Sequence, residues 1–192
     1  GHVGTARTAE EDVAPRIYDV DGARIAHLSY AYGLNGYQAP ADAPWVVDPI
    51  DPARMATDAH AAREAGAQLV VVSVHWGPEY RAEPDDAQVD LARHLASVPE
   101  IDLVVGHHAH VVQPIERIDG TWVVYGLGNQ LSNQAETPRR DGLTVVVTAR
   151  GRPDGPLAVV GIEALPTWVD LASHRVLPGA GAPLPPDVTP SV

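Results

Sequence analysis

The sequence predicts an α/β fold with a mixed, mostly parallel sheet flanked by helices. Two continuous apolar runs, Leu69–Val74 and Ile101–Val105, have the composition of strands buried on both faces. A helical pattern precedes each run, and an alternating strand pattern, Ala23–Tyr30, comes before the first helix. This order of strand, helix, strand, helix and strand predicts parallel strands joined by right-handed crossovers.

The first part of the chain predicts a hairpin followed by a long loop. Ile17–Val20 and Ala23–Tyr30 flank an Asp21-Gly22 turn, which is a hairpin signal. Residues 32–49 are rich in Gly, Pro and Asn and predict a long loop. Loops of this length inside compact domains are often functional.

Both predicted helices have recognisable start signals. Asp51 is placed to cap the first helix, with Pro52 at the first helical position and Gly66 at the stop. Asp85 and Gln88 have the spacing of a capping box at the start of the second helix.

The second half of the chain predicts further strands and a tail. Trp122–Leu127 and Leu143–Ala149 are interpreted as antiparallel additions to the sheet, and Leu157–Leu165 as one more strand. We therefore expect one domain over residues 1–177 and a Pro-rich mobile tail over residues 178–192.

Charge and length restrict the class of protein. The 192 residues suffice for one domain with a core, and 45% of them are hydrophobic. The net charge is -12, and all 13 basic residues are Arg. An acidic surface repels nucleic acid, so nucleic acid is not an expected partner. A polyanionic substrate could bind only where a metal ion or local Arg residues make the charge of the site positive.

The absence of certain residues excludes some chemistry. There is no Cys, which excludes disulfides, thiolate metal sites and Cys nucleophiles. No apolar run reaches the roughly 18 residues of a membrane span, and no signal peptide is visible. The chain begins with Gly1 and no initiator Met, so we expect the natural N-terminus, with any export signal, to lie upstream.

Two histidine clusters follow the two buried strands directly. His75 comes after the first, and Gly106-His107-His108-Ala109-His110 comes after the second. A single His in such a place is usually a loop residue, but parallel neighbouring strands would bring both clusters to one sheet edge, where α/β sheets bind ligands. Neutral imidazole is a common metal ligand. We therefore predict that the rings of His75 and His108 lie within about 10 Å of each other.

Several other polar residues near these clusters have two interpretations each. Glu79 is either a partner of a ligand His or a solvated loop carboxylate. Asn129 and Gln113 either position substrate or serve turn chemistry. Arg139 and Arg140 are candidates for contact with an anion, although such side chains are more often simply surface residues.

Three segments resemble one protein family. Residues 72–80, VSVHWGPEY, resemble a stretch written slHWGxEY; residues 106–116, GHHAHVVQPIE, resemble GHHPHVxQPxE; and residues 125–129, YGLGN, resemble YSLGN. Residues 2–7 and 34–36 also resemble members. The family is the bacterial capsule synthesis (CapA-type) proteins of poly-γ-glutamate biosynthesis, whose domain is similar to calcineurin-like metallophosphoesterases.

The resemblance implies a fold and a site. The chain is similar to the second half of a four-layer metallophosphoesterase sandwich, in which two metal ions about 3.5–4 Å apart bind phosphate and activate water. The implied metal ligands are His75, His108 and His110, and His75 and His108 are the implied catalytic residues. Residues expected outside the ligand set, contacting a ligand or the substrate, are His107, Glu79 and Asn129. His107 stands where the motif has Gly, and Ala109 where it has Pro.

The sequence departs from the superfamily pattern before residue 75. The Asp, bridging Asp and Asn-His motifs that supply the other ligands have no match there. The chain is therefore expected to correspond to the C-terminal part of a larger domain, or to a truncated product, and to be a hydrolase only when the missing half is supplied. We expect it to hold at most one divalent ion tightly.

Three hypotheses about function remain open. The first is a metal-dependent phosphoesterase-like hydrolase of capsule, poly-γ-glutamate or cell-envelope polymer biosynthesis, using Mn, Fe or Zn. The second is a non-catalytic binding or assembly component with a structural or vestigial metal site. The third is a mononuclear Zn hydrolase with three His ligands and a water. The resemblance implies an anionic polymer or phosphoester substrate, membrane proteins of capsule synthesis as partners, and an extracytoplasmic or envelope-associated location.

Overall fold

The computed structural model describes residues 1–152 and 155–179. Two sheets and three α-helices make up this part of the chain. The helices are α1 (Ala9–Asp12), α2 (Pro52–Glu64) and α3 (Asp86–Ala96), and a short 3-10 helix spans Pro44–Val46. The strands are β1 (Ile17–Val20), β2 (Ala23–Ala31), β3 (Leu69–His75), β4 (Leu103–His107), β5 (Ile115–Ile118), β6 (Thr121–Val124), β7 (Asp141–Gly151), β8 (Leu157–Asp170) and β9 (Arg175–Pro178).

The larger sheet is mixed and mostly parallel, as predicted. Its strand order is β1-β2-β3-β4-β6-β5. The four central strands run parallel, and the two edge strands β1 and β5 are antiparallel to their neighbours. Ala31, His75 and His107 stand side by side in the ladder. The carboxyl ends of three central strands therefore meet at one edge.

Helices α2 and α3 cover one face of this sheet. The Asp51 carboxylate accepts from the backbone N–H groups of Ala53 and Arg54, and Asp85 and Gln88 form the reciprocal capping box. Both predicted helix starts are thus confirmed. The core under the helices is apolar and includes Met55, Ala59, Val70, Val72, Val74, Leu95, Val104 and Val123.

The opposite face of the larger sheet packs against the three-stranded sheet β7-β8-β9. The contact is a smaller apolar cluster built around Leu69, Leu103 and Val159. The Leu157 N–H donates to the Gln68 carbonyl at 2.7 Å and ties the start of β8 to the start of β3. Within residues 1–152 and 155–179, no helix has the length and apolar character needed to cross a bilayer.

Two strand assignments made from sequence were wrong. The strand predicted as Trp122–Leu127 is β6, which is parallel to β4 and not antiparallel. It forms a hairpin with β5, and that short strand was not predicted because Glu116 and Arg117 at its centre are exposed. The chain reverses between β4 and β5 and again in the hairpin between β5 and β6, so β6 runs in the same direction as β4. The antiparallel strands β7 and β8 form a separate sheet and do not extend the first.

The predicted tail begins inside a strand. Pro178 ends β9, where it pairs with Thr167, and the Gly179 N–H donates to the Pro166 carbonyl at 2.7 Å. The predicted tail and β9 therefore overlap at residue 178. Residues 180–192 of the predicted tail lie outside the described residues.

An acidic cluster joins the first residues of the chain to α2. The guanidinium of Arg54 lies 3.0 Å from Asp12, 2.7 Å from Asp48 and 3.3 Å from Asp58. The Tyr30 hydroxyl donates to Asp58 at 2.8 Å. Asp12 Oδ1 is buried without a hydrogen-bond donor, and Asp48 Oδ1 is buried with the ion-pair contact to Arg54 but no hydrogen bond. The Asp12 and Asp48 carboxyls lie within hydrogen-bond reach of each other, so a proton on one of them can be donated to the other. Burial and then this contact with Asp12 raise the pKa of Asp48 to about 6.

This cluster predicts a pH dependence of stability. The pKa of Asp48 is near 6 when folded and about 3.9 when unfolded, so between these values the native state binds the extra proton. The free energy of unfolding is therefore expected to fall by about 2 kcal/mol as pH rises from about 4 to 7. Urea unfolding across this range measures the fall. Asp48→Asn should remove it, while Asp42→Asn, at an exposed position of the same loop, should retain it. An unchanged slope in Asp48→Asn would contradict the assignment.

Candidate metal site at the carboxyl edge of the sheet

The two histidine clusters meet at the carboxyl edge of the larger sheet. His75 is the last residue of β3, and His108 follows the last residue of β4. The ring centroids of His75 and His108 are 4.5 Å apart, and those of His108 and His110 are 6.2 Å apart. The predicted proximity of His75 and His108 is thus confirmed, because parallel neighbouring strands end at the same edge.

The backbone after β4 adopts a conformation that is rare for residues with a side chain. His108 has φ 95° and His110 has φ 56°, and Ala109 between them is buried. Such conformations cost about 1–3 kcal/mol each, and they occur in turns and cluster at functional sites. The Tyr80 N–H donates to the Ala109 carbonyl at 2.7 Å, which joins the loop after β3 to the loop after β4.

Gly106 allows β4 to approach the neighbouring chain closely. A Cβ at this position would lie 1.9 Å from the Tyr125 carbonyl oxygen and 2.4 Å from Trp76 Nε1. These two groups are hydrogen-bonded to each other at 2.9 Å, and Trp76 is buried. A side chain at position 106 would therefore displace the hydrogen bond between Trp76 and Tyr125. This contact lies next to the loop that contains His108 and His110.

One group of side chains in the described residues has the geometry of a metal site. Glu79, His108 and His110 each offer a ligand atom, and the three atoms lie within 4.8 Å of one another. Two imidazoles and a carboxylate suit a divalent transition metal. His75 lies outside this group but against His108, so its role as a ligand stays a prediction. Glu79, which was expected outside the ligand set, belongs to this candidate group.

Asn129 determines the tautomer of His110. Its side-chain N–H₂ donates to the backbone carbonyls of Arg139 at 2.8 Å and His110 at 3.3 Å. Its oxygen therefore faces His110 Nδ1, at 2.8 Å, and the ring nitrogen must be the donor. In the neutral ring this leaves the lone pair on Nε2 of His110, which lies 3.9 Å from Glu79 Oε1. This is the arrangement that orients a metal-binding imidazole, and it supports the prediction that Asn129 contacts a ligand.

Burial favours the neutral form of the imidazoles of His75 and His108. It is the main cause of the lowered pKa of His75, which the neighbouring histidines lower further. Burial also lowers the pKa of His108, against the carboxylate of Glu79, which raises it. A lower pKa means that protons compete less with a metal ion for the ring nitrogens at neutral pH.

His107 lies beside the site and outside the group of ligand atoms. It is the ladder neighbour of His75. Burial is the main cause of the lowered pKa of His107, and the nearby His27 lowers that pKa further.

Gln113, which the sequence offered either as a substrate contact or as a turn residue, is 2% exposed and bonds to Gln88 and the Arg81 carbonyl. Its position is that of a structural brace for the loop after β3.

Tyr32 is a site residue that the sequence did not single out. Its ring lies parallel to His75 with a centroid distance of 5.9 Å and 4.8 Å from the ring of His108. It is 52% exposed and forms an open aromatic wall. The only signal in the sequence was its place in the long loop after β2, which predicts no contact by itself.

Solved structures of other proteins resemble the fold of this chain. A sulfate thiohydrolase SoxB from Thermus thermophilus matches 86% of this chain and 24% of its own, with 22% identity and a TM-score of 0.50. A putative 5'-nucleotidase from Staphylococcus aureus matches 81% and 29%, with 18% identity and a TM-score of 0.50. At these identities the likeness establishes the fold alone, which resembles part of phosphoesterase and nucleotidase structures.

Sequence relatives establish the family. "PGA biosynthesis protein CapA" of Bacillus subtilis is 36% identical over 145 residues, which cover 75% of this chain and 37% of the relative. "Capsule biosynthesis protein CapA" of Bacillus anthracis is 30% identical over 157 residues, covering 80% and 38%. The chain thus spans less than two fifths of the length of these relatives. The family described as "Bacterial capsule synthesis protein PGA_cap" matches residues 1–134, and the chain belongs to this family.

Proposed function

We propose that the chain carries part of the metal centre of a phosphoester hydrolase that acts in capsule or cell-envelope polymer biosynthesis. The observation that carries the proposal is the convergence of Glu79, His108 and His110 within 4.8 Å. His75, whose ring lies 4.5 Å from that of His108, is proposed as the fourth ligand. Mn, Fe and Zn all accept this set of imidazole and carboxylate donors.

The donor set is suited to one divalent ion. Its single carboxylate, Glu79, offsets one of the two positive charges, and the imidazoles are neutral ligands. A second dication at close range would be repelled strongly with no further carboxylate in the group to offset it. We therefore propose that residues 1–192 by themselves hold one ion.

The proposed reaction is hydrolysis at phosphorus. The oxygen of a water molecule bonds to phosphorus, the ester P–O bond breaks, and the leaving oxygen takes up a proton. A bound divalent cation supplies Lewis-acid chemistry, polarising the phosphoryl oxygen and acidifying water. The protein orients the imidazole of His110 through Asn129 and lines the site with the rings of Tyr32 and Tyr80.

The proposed substrate is a phosphoester or an anionic polymer. With a net charge of -12, the protein attracts such a substrate only where a cation reverses the local sign. The two curated relatives are named for capsule or PGA biosynthesis. We propose membrane proteins of capsule synthesis as partners and an extracytoplasmic, envelope-associated location.

The test measures Mn²⁺ content and turnover of a chromogenic phosphodiester together. We expect one Mn²⁺ per 192-residue chain, slow turnover, and faster turnover when the chain is extended to the length of its curated relatives. His108→Ala should abolish both metal binding and turnover, because it removes a donor from the centre of the group. Turnover that survives His108→Ala in both lengths of the protein would overturn the proposed site.

A second candidate function is a binding or assembly component with a structural metal ion. The open site favours it, since Tyr32 and Tyr80 are 52% and 41% exposed. One ion bound without turnover in either length of the protein would support this alternative over the hydrolase.

A further inference from the structure

Arg139 lies at the end of a column of stacked side chains that starts at the candidate metal site. The ring of Tyr80 stacks on His110 with a centroid distance of 5.9 Å and an angle of 29°. The guanidinium carbon of Arg139 lies 3.7 Å from the centroid of the Tyr80 ring. This is close for a cation–π contact, which extends to about 6 Å.

The backbone of Arg139 is tied to the same imidazole. The Asn129 amide donates to the Arg139 carbonyl at 2.8 Å, while its oxygen accepts from His110 Nδ1 at 2.8 Å. One side chain therefore holds both the position of Arg139 and the tautomer of His110. Arg139 is thus joined to the candidate ligand by two independent contacts, one from its guanidinium through Tyr80 and one from its backbone through Asn129.

The charge of Arg139 has only an exposed partner among the contacts described. Arg139 Nη1 lies 3.2 Å from Glu136 Oε2, and the Glu136 side chain is 71% exposed. Exposed pairs three residues apart contribute little to stability and are screened by salt. A ligand oxyanion can replace Glu136 at small cost.

The backbone of Tyr80 supports a role for the column in binding. Its φ of 64° is rare for an aromatic residue, and this conformation places the ring between His110 and Arg139. Stacking engages the face of a guanidinium and leaves its in-plane N–H donors free. Those donors match two oxygens of a phosphoryl group.

We propose that Arg139, stacked on Tyr80, is an anion subsite that takes the phosphoryl group of the substrate next to the metal group. This inference rests on the proposed function for the identity of the substrate. It adds a positively charged, bidentate contact to an otherwise strongly acidic protein. Arg139 then selects substrates that present two phosphoryl oxygens to it.

The test is a titration of the metal-free 192-residue protein with inorganic phosphate in EDTA, followed by the NMR signal of the Arg139 Nε–H group and by calorimetry. Arg139→Gln is expected to weaken phosphate binding about tenfold, as for loss of a charge-assisted contact. Arg139→Lys should restore little, because Lys has neither the planar stack nor the paired donors. Arg81→Gln, which removes the same charge from an exposed position in the loop after β3, is the matched control and should bind as the unaltered protein does.

The outcomes separate this inference from the proposed function. Equal weakening in Arg81→Gln and Arg139→Gln would mean that net charge alone attracts phosphate and would overturn the subsite. Unchanged binding in Arg139→Gln would overturn it as well, whatever the metal content. A repeat with acetate distinguishes a phosphoryl subsite from one for carboxylates, and binding of acetate as tight as phosphate would contradict the phosphoryl assignment. If the unaltered protein neither binds Mn²⁺ nor turns over substrate, the proposed function is wrong. The phosphate titration still decides whether Arg139 is an anion subsite.

Discussion

His110→Gln is expected to lower the affinity for Mn²⁺ by more than about 100-fold, while His107→Gln lowers it less than about tenfold. His110 contributes a donor to the group within 4.8 Å, and its tautomer is set by Asn129. His107 lies outside that group. Loss of a residue that only supports a ligand typically costs 10–100-fold, so loss of a ligand should exceed this range. Isothermal titration with Mn²⁺ at pH 7.5 measures both variants.

The same titration repeated across pH checks that imidazoles hold the ion. The pKa values of His75 and His108 lie below the ordinary value, mainly because of burial. Protons should therefore begin to displace the metal only as pH falls below about 6.5, the ordinary value for His. Equal losses of affinity in His107→Gln and His110→Gln would contradict the ligand assignment. An affinity that stays flat from pH 5 to 8 would show that carboxylates hold the ion.

Gly106→Ala is expected to lower the free energy of unfolding by at least about 3 kcal/mol and to abolish tight metal binding. The added Cβ would fall 1.9 Å from the Tyr125 carbonyl oxygen, which is backbone and cannot rotate away. Relief requires β4 to move away from the chain at residue 125, and His108 moves with it. Urea unfolding and Mn²⁺ titration measure the two effects.

Gly33→Ala is the matched control for this substitution. A Cβ on Gly33 meets no atom within 4 Å, so the same change of residue should leave stability within about 0.5 kcal/mol. If Gly106→Ala unfolds at the same urea concentration as Gly33→Ala, the close approach at position 106 does not constrain the site.

The central strands could be predicted because burial on both faces leaves a clear signal in sequence. Leu69–Val74 and Ile101–Val105 are continuous apolar runs, and each falls on a strand of the larger sheet, β3 and β4. Parallel strands in turn place their carboxyl ends together, so the proximity of His75 and His108 followed before any contact was known.

The edge of the sheet could not be predicted in the same way. The strand β5 has four residues, two of them exposed, and therefore no distinctive pattern. Missing it led to the wrong direction for β6, because the direction of a strand depends on how often the chain reverses before it. The overlap of the predicted tail with β9 at Pro178 has a related reason, since a Pro-rich segment can still end an edge strand.

The sequence by itself determined the α/β class, the two capped helices, the family resemblance and the sheet edge at which three histidines gather. These features depend on local patterns of apolar residues, caps and motifs, and each pattern involves residues that are close together in the sequence. Only the tertiary structure decided that Glu79 lies close to His108 and His110. It also decided that Asn129 orients His110 and that Arg139 stacks on Tyr80. Each of these contacts joins side chains from different loops, and their distances depend on backbone conformations such as φ 95° at His108 that no local pattern specifies.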